Sequence, residues 1–330
     1  MEPTKTAPQT DYDAIVIGGS FAGLSAAMQL ARARRKILVL DAGKPRNRFA
    51  PASHGFLGQD GRSPQEIIET GRRQLMAYPT VEFEQAEAAD ATQEDGAFSV
   101  AFGEGREVRA KRLVLATGMS DHLPDVPGMQ ELWGTGVLHC PYCHGYEVAG
   151  RKFAVFGVGP ASAHQAALVR DWSDDVTLLT QGGDWLTPEN RAMLAARGVM
   201  VDETPLARLI PQGRELEALE FQDGRRVPYG ALFTGTRASF ASPLAERLGC
   251  EIEQAPFGPV LKTDMLKETS VPGVFAAGDA ASPMYNATLA SAAGVLAGVS
   301  AHQSLLGLKM PMNAGSQTAQ TSDGPKQGRH

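Results

Sequence analysis

Ala14-Ile15-Val16-Ile17-Gly18-Gly19-Ser20-Phe21-Ala22-Gly23 is the stretch whose reading decides the fold. The apolar residues make a short buried strand that runs straight into a glycine-rich turn. A helix follows from about Leu24 to Arg34, with Ala and Leu at helical spacing. Ile37-Leu38-Val39-Leu40 is the next strand and ends at Asp41. Strand, turn, helix and strand, with an acid about 20 residues past the glycines, form a dinucleotide fingerprint. Backbone N–H groups and the helix N-terminus face a pyrophosphate, and Asp41 accepts from a ribose hydroxyl. Ser20 stands where the pattern usually has its second glycine, and is small enough for close approach. A tight strand-to-helix turn that binds nothing is the alternative.

A second unit of this kind begins with the strand Phe153-Ala154-Val155-Phe156, the turn Gly157-Val158-Gly159-Pro160-Ala161-Ser162 and a helix over 163–170. Its second strand, Val176-Thr177-Leu178-Leu179, ends at Thr180-Gln181-Gly182-Gly183. An acid there would favour NAD, and arginines would hold the 2′-phosphate of NADP. Neither stands there, although Asp184 is near. Gly157, Gly159 and Ser162 are the candidate NAD(P)H contacts, with the ligand left open. Two such units predict an α/β fold of two Rossmann-like, three-layer nucleotide-binding domains.

Between the units lies Cys140-Pro141-Tyr142-Cys143-His144-Gly145-Tyr146-Glu147, which holds two of the three cysteines. A Cys-x-x-Cys pair at a helix N-terminus has a lowered thiol pKa and closes into a small disulfide ring. His144 has an ordinary pKa near 6.5 and can take a thiol proton at neutral pH. The alternative for His144 is a hydrogen-bonded helix-start residue with no proton role. Zinc is the rival for the cysteines, since His139, Cys140, Cys143 and His144 are all ligand types. Adjacent residues such as Cys143 and His144 rarely reach one tetrahedral ion, and no second Cys-x-x-Cys or His pair completes a site. No metal is expected. Cys250 reads as a small buried core residue.

The rest of the chain fits around these units. A long polar loop spans 43–71, including Arg46-Asn47-Arg48 and His54; loops of this length in a compact domain are commonly functional. His54 either lines a cofactor pocket or packs the loop. A β-meander is expected over 81–108, with turns at Glu94-Asp95-Gly96 and Gly103-Glu104-Gly105. A separate strand over 111–116 closes at Thr117-Gly118. Val271 to Asp279 is a strand ending in Gly-Asp, and a helix runs from near Asn286 to about Leu305. His302 falls inside that helix, where packing is the ordinary role. Residues 1–10 and 310–330 are expected to be a disordered leader and tail.

Composition sets outer bounds. The chain has 330 residues, enough for two domains with buried cores; 43% are hydrophobic and 21% charged. The net charge of −6 carries no basic block, which argues against nucleic acid or an acidic membrane as partner. Met1 to Thr10 has no apolar signal-peptide core, and no apolar run is long enough to span a bilayer. Three cysteines make no disulfide scaffold. The expected compartment is the cytoplasm, where such a pair is usually catalytic or metal-binding.

Taken together, Gly18–Gly23 with Asp41, Ala116-Thr117-Gly118, Cys140/Cys143, Gly157–Ser162 and Ala277-Gly278-Asp279 resemble the low-molecular-weight thioredoxin reductase family. The resemblance spans about Asp11 to Leu306. It implies FAD as cofactor, a homodimer, and a second domain inserted into the first: 11–119 and 244–309 for the FAD domain, 120–243 for the insert carrying the cysteines. It also implies FAD contacts at Gly18, Ser20, Phe21, Ala22, Gly23, Asp41, Ala42, Arg48, His54, Ala116, Thr117, Gly118, Gly278, Asp279, Asn286 and Ala287. Asp279 would hold the ribityl chain, and the helix after Tyr285 would aim its N-terminus at the flavin and stabilise its reduced anion.

Three departures bear on function. The reductases usually have an aspartate where His144 stands, and a His-Arg-Arg segment where Thr180-Gln181-Gly182 stands. Arg46 to Gly61 and Cys140 to Glu147 are more similar to a branch of flavin dithiol oxidases, which close disulfides in small molecules such as gliotoxin and holomycin. By that resemblance Cys140 faces the substrate and Cys143 the flavin. A substrate thiolate attacks Cys140, the substrate's second thiol resolves the mixed disulfide, and oxygen, or another acceptor, takes the electron pair. An NADPH-dependent thioredoxin reductase is the alternative, its phosphate pocket built from arginines such as Arg151 or Arg191. A flavin-bound protein that sequesters a dithiol without turnover is a third reading. The substrate is a small molecule, a peptide or a thioredoxin-like protein.

Overall fold

A computed structural model describes residues 10–256 and 258–308 of the chain. The expected tail, and all of the expected leader but Thr10, lie outside the described residues.

The first strand, Tyr12–Ile17, pairs in parallel with Ile37–Leu40 on one side and Arg106–Leu115 on the other. The first two are β-branched and leucine-rich and fully or nearly buried, as strands covered on both faces must be. The sheet has seven strands, and Val274–Ala276 returns from far along the chain to pair in parallel with Leu113–Leu115.

The expected meander is altered in two ways. Val81–Glu84 joins the parallel side, against Ile37–Leu40. The antiparallel ribbon starts at Ala88, and its last strand runs unbroken from Arg106 to Leu115. After the turn at Gly103–Gly105 no glycine or proline interrupts those residues, so one strand serves both the ribbon and the parallel sheet.

Helix Phe21–Arg32 packs on the long helix Ala287–Leu305 through small residues. A Cβ on Gly294 would lie 2.1 Å from the Ala22 carbonyl oxygen, and one on Gly298 would lie 2.4 Å from that of Ala26. The polar loop is shorter than expected, because a helix occupies Pro64–Leu75. Its signal was present as Ser63-Pro64-Gln65-Glu66: Ser63 Oγ accepts from Glu66 N, and Glu66 Oε2 accepts from Ser63 N.

The chain crosses to the second unit through Met119–His122 and returns through Arg237–Phe240, which pair as an antiparallel ribbon. The second sheet is parallel throughout, with the strands Met200–Asp202, Val176–Leu179, Phe153–Phe156, Ala231–Thr234 and Val137–Leu138 side by side. Helices cover one face. A three-stranded antiparallel sheet brings Leu209, Leu216, Leu219 and Phe221 against the other. The fold is thus α/β, with one Rossmann-like three-layer unit inserted in another.

Candidate active site

The first glycine turn is built by close approach. A Cβ on Gly23 would lie 1.7 Å from the Gly18 carbonyl oxygen, so the helix can sit this near the strand only with glycine there. Gly18 has φ of +108°, and a Cβ there would lie 2.1 Å from the Ala116 carbonyl oxygen. The helix begins at Phe21, earlier than expected, with Ser20 as an N-cap whose side chain makes no capping hydrogen bond. Gly19 N donates to Asp41 Oδ1 at 3.1 Å, which brings the carboxylate to the turn. Ala42 is exposed beyond it.

Other expected contacts gather here. Gly278 has φ of +80°, and its missing Cβ leaves room for Ala22, where a Cβ would lie 2.9 Å from the alanine methyl. That sets Asp279 beside the start of the first helix. Phe21 meets Phe56 edge-on at 5.9 Å, which ties the polar loop to the turn. Gly118 takes φ of +70° after Ala116-Thr117. Asn286 caps the long helix, its Oδ1 accepting from Thr288 N at 2.8 Å and Leu289 N at 3.2 Å; Ala287 is the first helical residue.

The arginine in this cluster is Arg46. Its Nε donates to Asp121 Oδ2 at 2.7 Å, its Nη2 to Asp121 Oδ1 at 2.6 Å and its Nη1 to Asp279 Oδ2 at 2.8 Å. Its guanidinium lies 3.9 Å from the Tyr285 ring centroid. Thr236 Oγ1 also donates to Asp121, at 2.6 Å. Burial pushes the Asp279 carboxyl up, and Arg46 offsets only part of that. Burial also acts to raise Asp121, but Arg46 and Thr236 outweigh it and hold that carboxyl below the usual range. Arg48 is exposed, donates to the Pro45 carbonyl at 3.0 Å and lies over Phe49.

Cys140 and Cys143 are joined as a disulfide, with Cα atoms 5.3 Å apart. Cys140 is the N-cap and Pro141 the first residue of the short helix Pro141–His144. Proline suits that position because its missing N–H would be unpaired anyway. Tyr142 packs edge-on against Trp172 at 5.5 Å, which braces the helix.

Two histidines flank the pair. His139 Nδ1 lies 3.1 Å from the Thr234 carbonyl oxygen, and a carbonyl can only accept, so that nitrogen carries the proton. Gln165 Nε2 donates to the His139 carbonyl at 2.8 Å. Burial pushes the pKa of His139 and of His144 below the usual histidine value; for His144, Glu147 offsets part of the effect. His54 Nε2 lies 3.4 Å from Glu147 Oε1. His54, His144 and Glu147 line one cleft of ≈ 350 Å³ together with Pro51, Gly134 and Leu138. The polar loop thereby meets the cysteine segment across the two units.

Elsewhere the histidine and cysteine candidates disperse. His302 Nε2 lies 3.3 Å from Arg35 Nη2. Cys250 is buried against Thr269 Oγ1, and burial raises its thiol pKa. Gly157, Gly159 and Ser162 form the second turn, where Ser162 is buried and Gly159 has φ of +151°. Among the described residues, no three His, Cys, Asp or Glu side chains gather to hold a metal, and no helix is long and apolar enough to cross a membrane.

A redox-capable cysteine pair set between two Rossmann-like units defines a disulfide oxidoreductase. The chain belongs to the pyridine nucleotide-disulphide oxidoreductase family, whose profile matches residues 12–294. It is thus an oxidoreductase of flavoprotein type, in the thioredoxin reductase-like class. It is 33% identical to thioredoxin reductase tcpT of Claviceps purpurea over 89% of this chain and 94% of that one. It is 30% identical to thioredoxin reductase sirT of Leptosphaeria maculans, over 91% and 96%. An oxidoreductase from Agrobacterium tumefaciens superimposes with a TM-score of 0.85 at 43% identity, over 90% of this chain and 99% of that one.

Proposed function

We propose that this chain is an FAD-dependent oxidase that closes a dithiol substrate into a disulfide through Cys140 and Cys143, with oxygen as electron acceptor. The observation that carries the reading is His144. It adjoins the disulfide, opens on the cleft, and is held neutral by burial. A neutral imidazole accepts a proton, and dithiol oxidation releases protons.

The first unit fits FAD. Gly18 and Gly19 carry no side chain just before the helix begins, Asp41 stands beside the turn, and Asp279 lies next to the same helix start. Gly18, Ser20, Phe21, Ala22, Gly23, Asp41, Gly278 and Asp279 would hold the cofactor. When bound there, FAD would supply an acceptor for the electron pair of the reduced cysteines and a route for that pair to oxygen.

The chain's own residues do the rest. A substrate thiolate attacks Cys140 Sγ, forming a mixed disulfide and releasing Cys143 as thiolate. The second substrate thiol gives its proton to His144 and attacks the substrate sulfur of the mixed disulfide. The product disulfide leaves, and Cys140 and Cys143 are reduced. Overall, a dithiol and oxygen become a disulfide and hydrogen peroxide. The Glu147 carboxylate, 3.4 Å from His54 Nε2, favours the charged imidazole while His144 holds the proton. The cleft is of a size that takes a small molecule or a peptide segment.

The names of the relatives favour a second reading, an NADPH-dependent thioredoxin reductase. Oxygen uptake separates the two. With dithiothreitol as substrate the oxidase consumes oxygen and forms equimolar peroxide, and Cys140→Ser or Cys143→Ser abolishes this. No uptake with dithiothreitol, together with NADPH-driven reduction of thioredoxin, would return the protein to the reductases.

A further inference from the structure

In a Rossmann-like unit the dinucleotide crosses the carboxyl ends of the first two strands, between the glycine turn and the end of the second strand. In the second unit those strands end at Phe156 and Leu179. The Trp185 indole lies across that gap. A Cβ on Gly157 would lie 2.5 Å from Trp185 Cζ2, and one on Gly183 would lie 2.5 Å from Trp185 Cδ1 and Nε1. Glycine at both positions lets the ring settle onto the turn. The ring is anchored, because it also packs on the core that contains Leu178 and Leu186.

Two more groups are closed by the chain itself. Ser162 stands where the first unit has Gly23. Its Oγ accepts from Val158 N at 3.0 Å, which occupies a turn N–H that a phosphate would need. Thr180, which is buried, stands at the position of Asp41, where an acid would hold the ribose, and Gln181 follows it. Gln181 Oε1 accepts from Leu206 N at 2.9 Å and its Nε2 donates to the Leu179 carbonyl at 3.4 Å. The carboxamide is turned to the backbone instead of the crevice.

We propose that Trp185, backed by Ser162 and Gln181, bars nicotinamide dinucleotides from the second unit, and that the Trp185 ring is its removable part. The obstruction covers the adenosine and pyrophosphate path that NADH and NADPH share, so both are excluded. The inference extends the oxidase reading but stands on different residues. The rival physical outcome is a ring that swings out and stacks on adenine, in which case the wild-type protein binds.

The test uses flavin-loaded full-length protein under nitrogen, titrated separately with NADPH and NADH and read by nicotinamide fluorescence. Trp185→Ala vacates the path, and Trp185→Leu does so while keeping apolar contact with the core should the alanine variant fail to fold. The wild type is expected to show no saturable binding. A folded variant is expected to bind both dinucleotides with an affinity at least about tenfold above the wild type's upper bound, with dithiol-driven oxygen uptake unchanged. Saturable wild-type binding, or a variant with native melting and flavin spectrum that gains no binding, overturns the proposal. Oxygen uptake with dithiothreitol scores the oxidase reading separately: its loss in a wild type that binds no dinucleotide sinks that reading and leaves this one standing.

Discussion

The two glycine turns follow the same strand–turn–helix pattern and end as different surfaces. In the first, Gly23 brings the helix against Gly18, and Asp41 comes to the Gly19 N–H. In the second, Ser162 replaces that glycine and takes up the Val158 N–H, Gln181 is tied to the backbone, and Trp185 lies on Gly157. Both keep a parallel strand pair, a glycine turn and a following helix. What differs is which polar groups face outward, and that is a property of a few side chains, not of the fold.

The largest effect should come from equivalent positions in the two turns. Gly23→Val puts a side chain 1.7 Å from the Gly18 carbonyl oxygen and must push the helix off the strand. The expected outcome is a loss above about 4 kcal/mol and no soluble flavin-loaded protein. Ser162→Gly in the second turn leaves the protein folded and yellow. Equal melting temperatures for the two variants would break the comparison.

Next is Arg46, which joins the loop of the first unit to Asp279 and to Asp121 on the crossing strand. Arg46→Ala leaves two part-buried carboxylates without their cation, and the expected loss is about 3 kcal/mol. Chemical denaturation and flavin content measure it. A variant as stable as wild type would remove Arg46 from the account.

His144 acts on rate more than stability. Because its pKa is lowered, the neutral form persists below pH 6.5, and the rate should fall as pH drops through that lowered value. His144→Asn should cost about 100-fold in the cysteine-reduction step and remove that acidic limb, while flavin content stays. A limb that survives the substitution assigns the proton to another group. Smallest is Asn286→Ala, which removes the cap of the long helix and should lower stability by about 1 kcal/mol. Thermal unfolding reads it.

Much of this was legible in the chain. The first turn and its acid, the strand Val176–Leu179 and the long helix follow from local pattern, because periodicity and glycine placement act over neighbouring residues. The Ser63 capping box is a local signal of the same kind, set at the end of a polar stretch. The choice between Arg46 and Arg48 was not legible, since the partners that select Arg46 lie at positions 121 and 279. The pinned ring of His139 and the lodging of Trp185 on Gly157 likewise depend on strands brought together only by the tertiary fold.

The most direct measurement follows flavin absorbance under nitrogen after addition of dithiothreitol in one cuvette and NADPH in another, then admits air. The account predicts bleaching by the dithiol alone, colour returning with oxygen, and no dithiol-driven bleaching in Cys143→Ser. Fast bleaching by NADPH, with none by the dithiol, would contradict it.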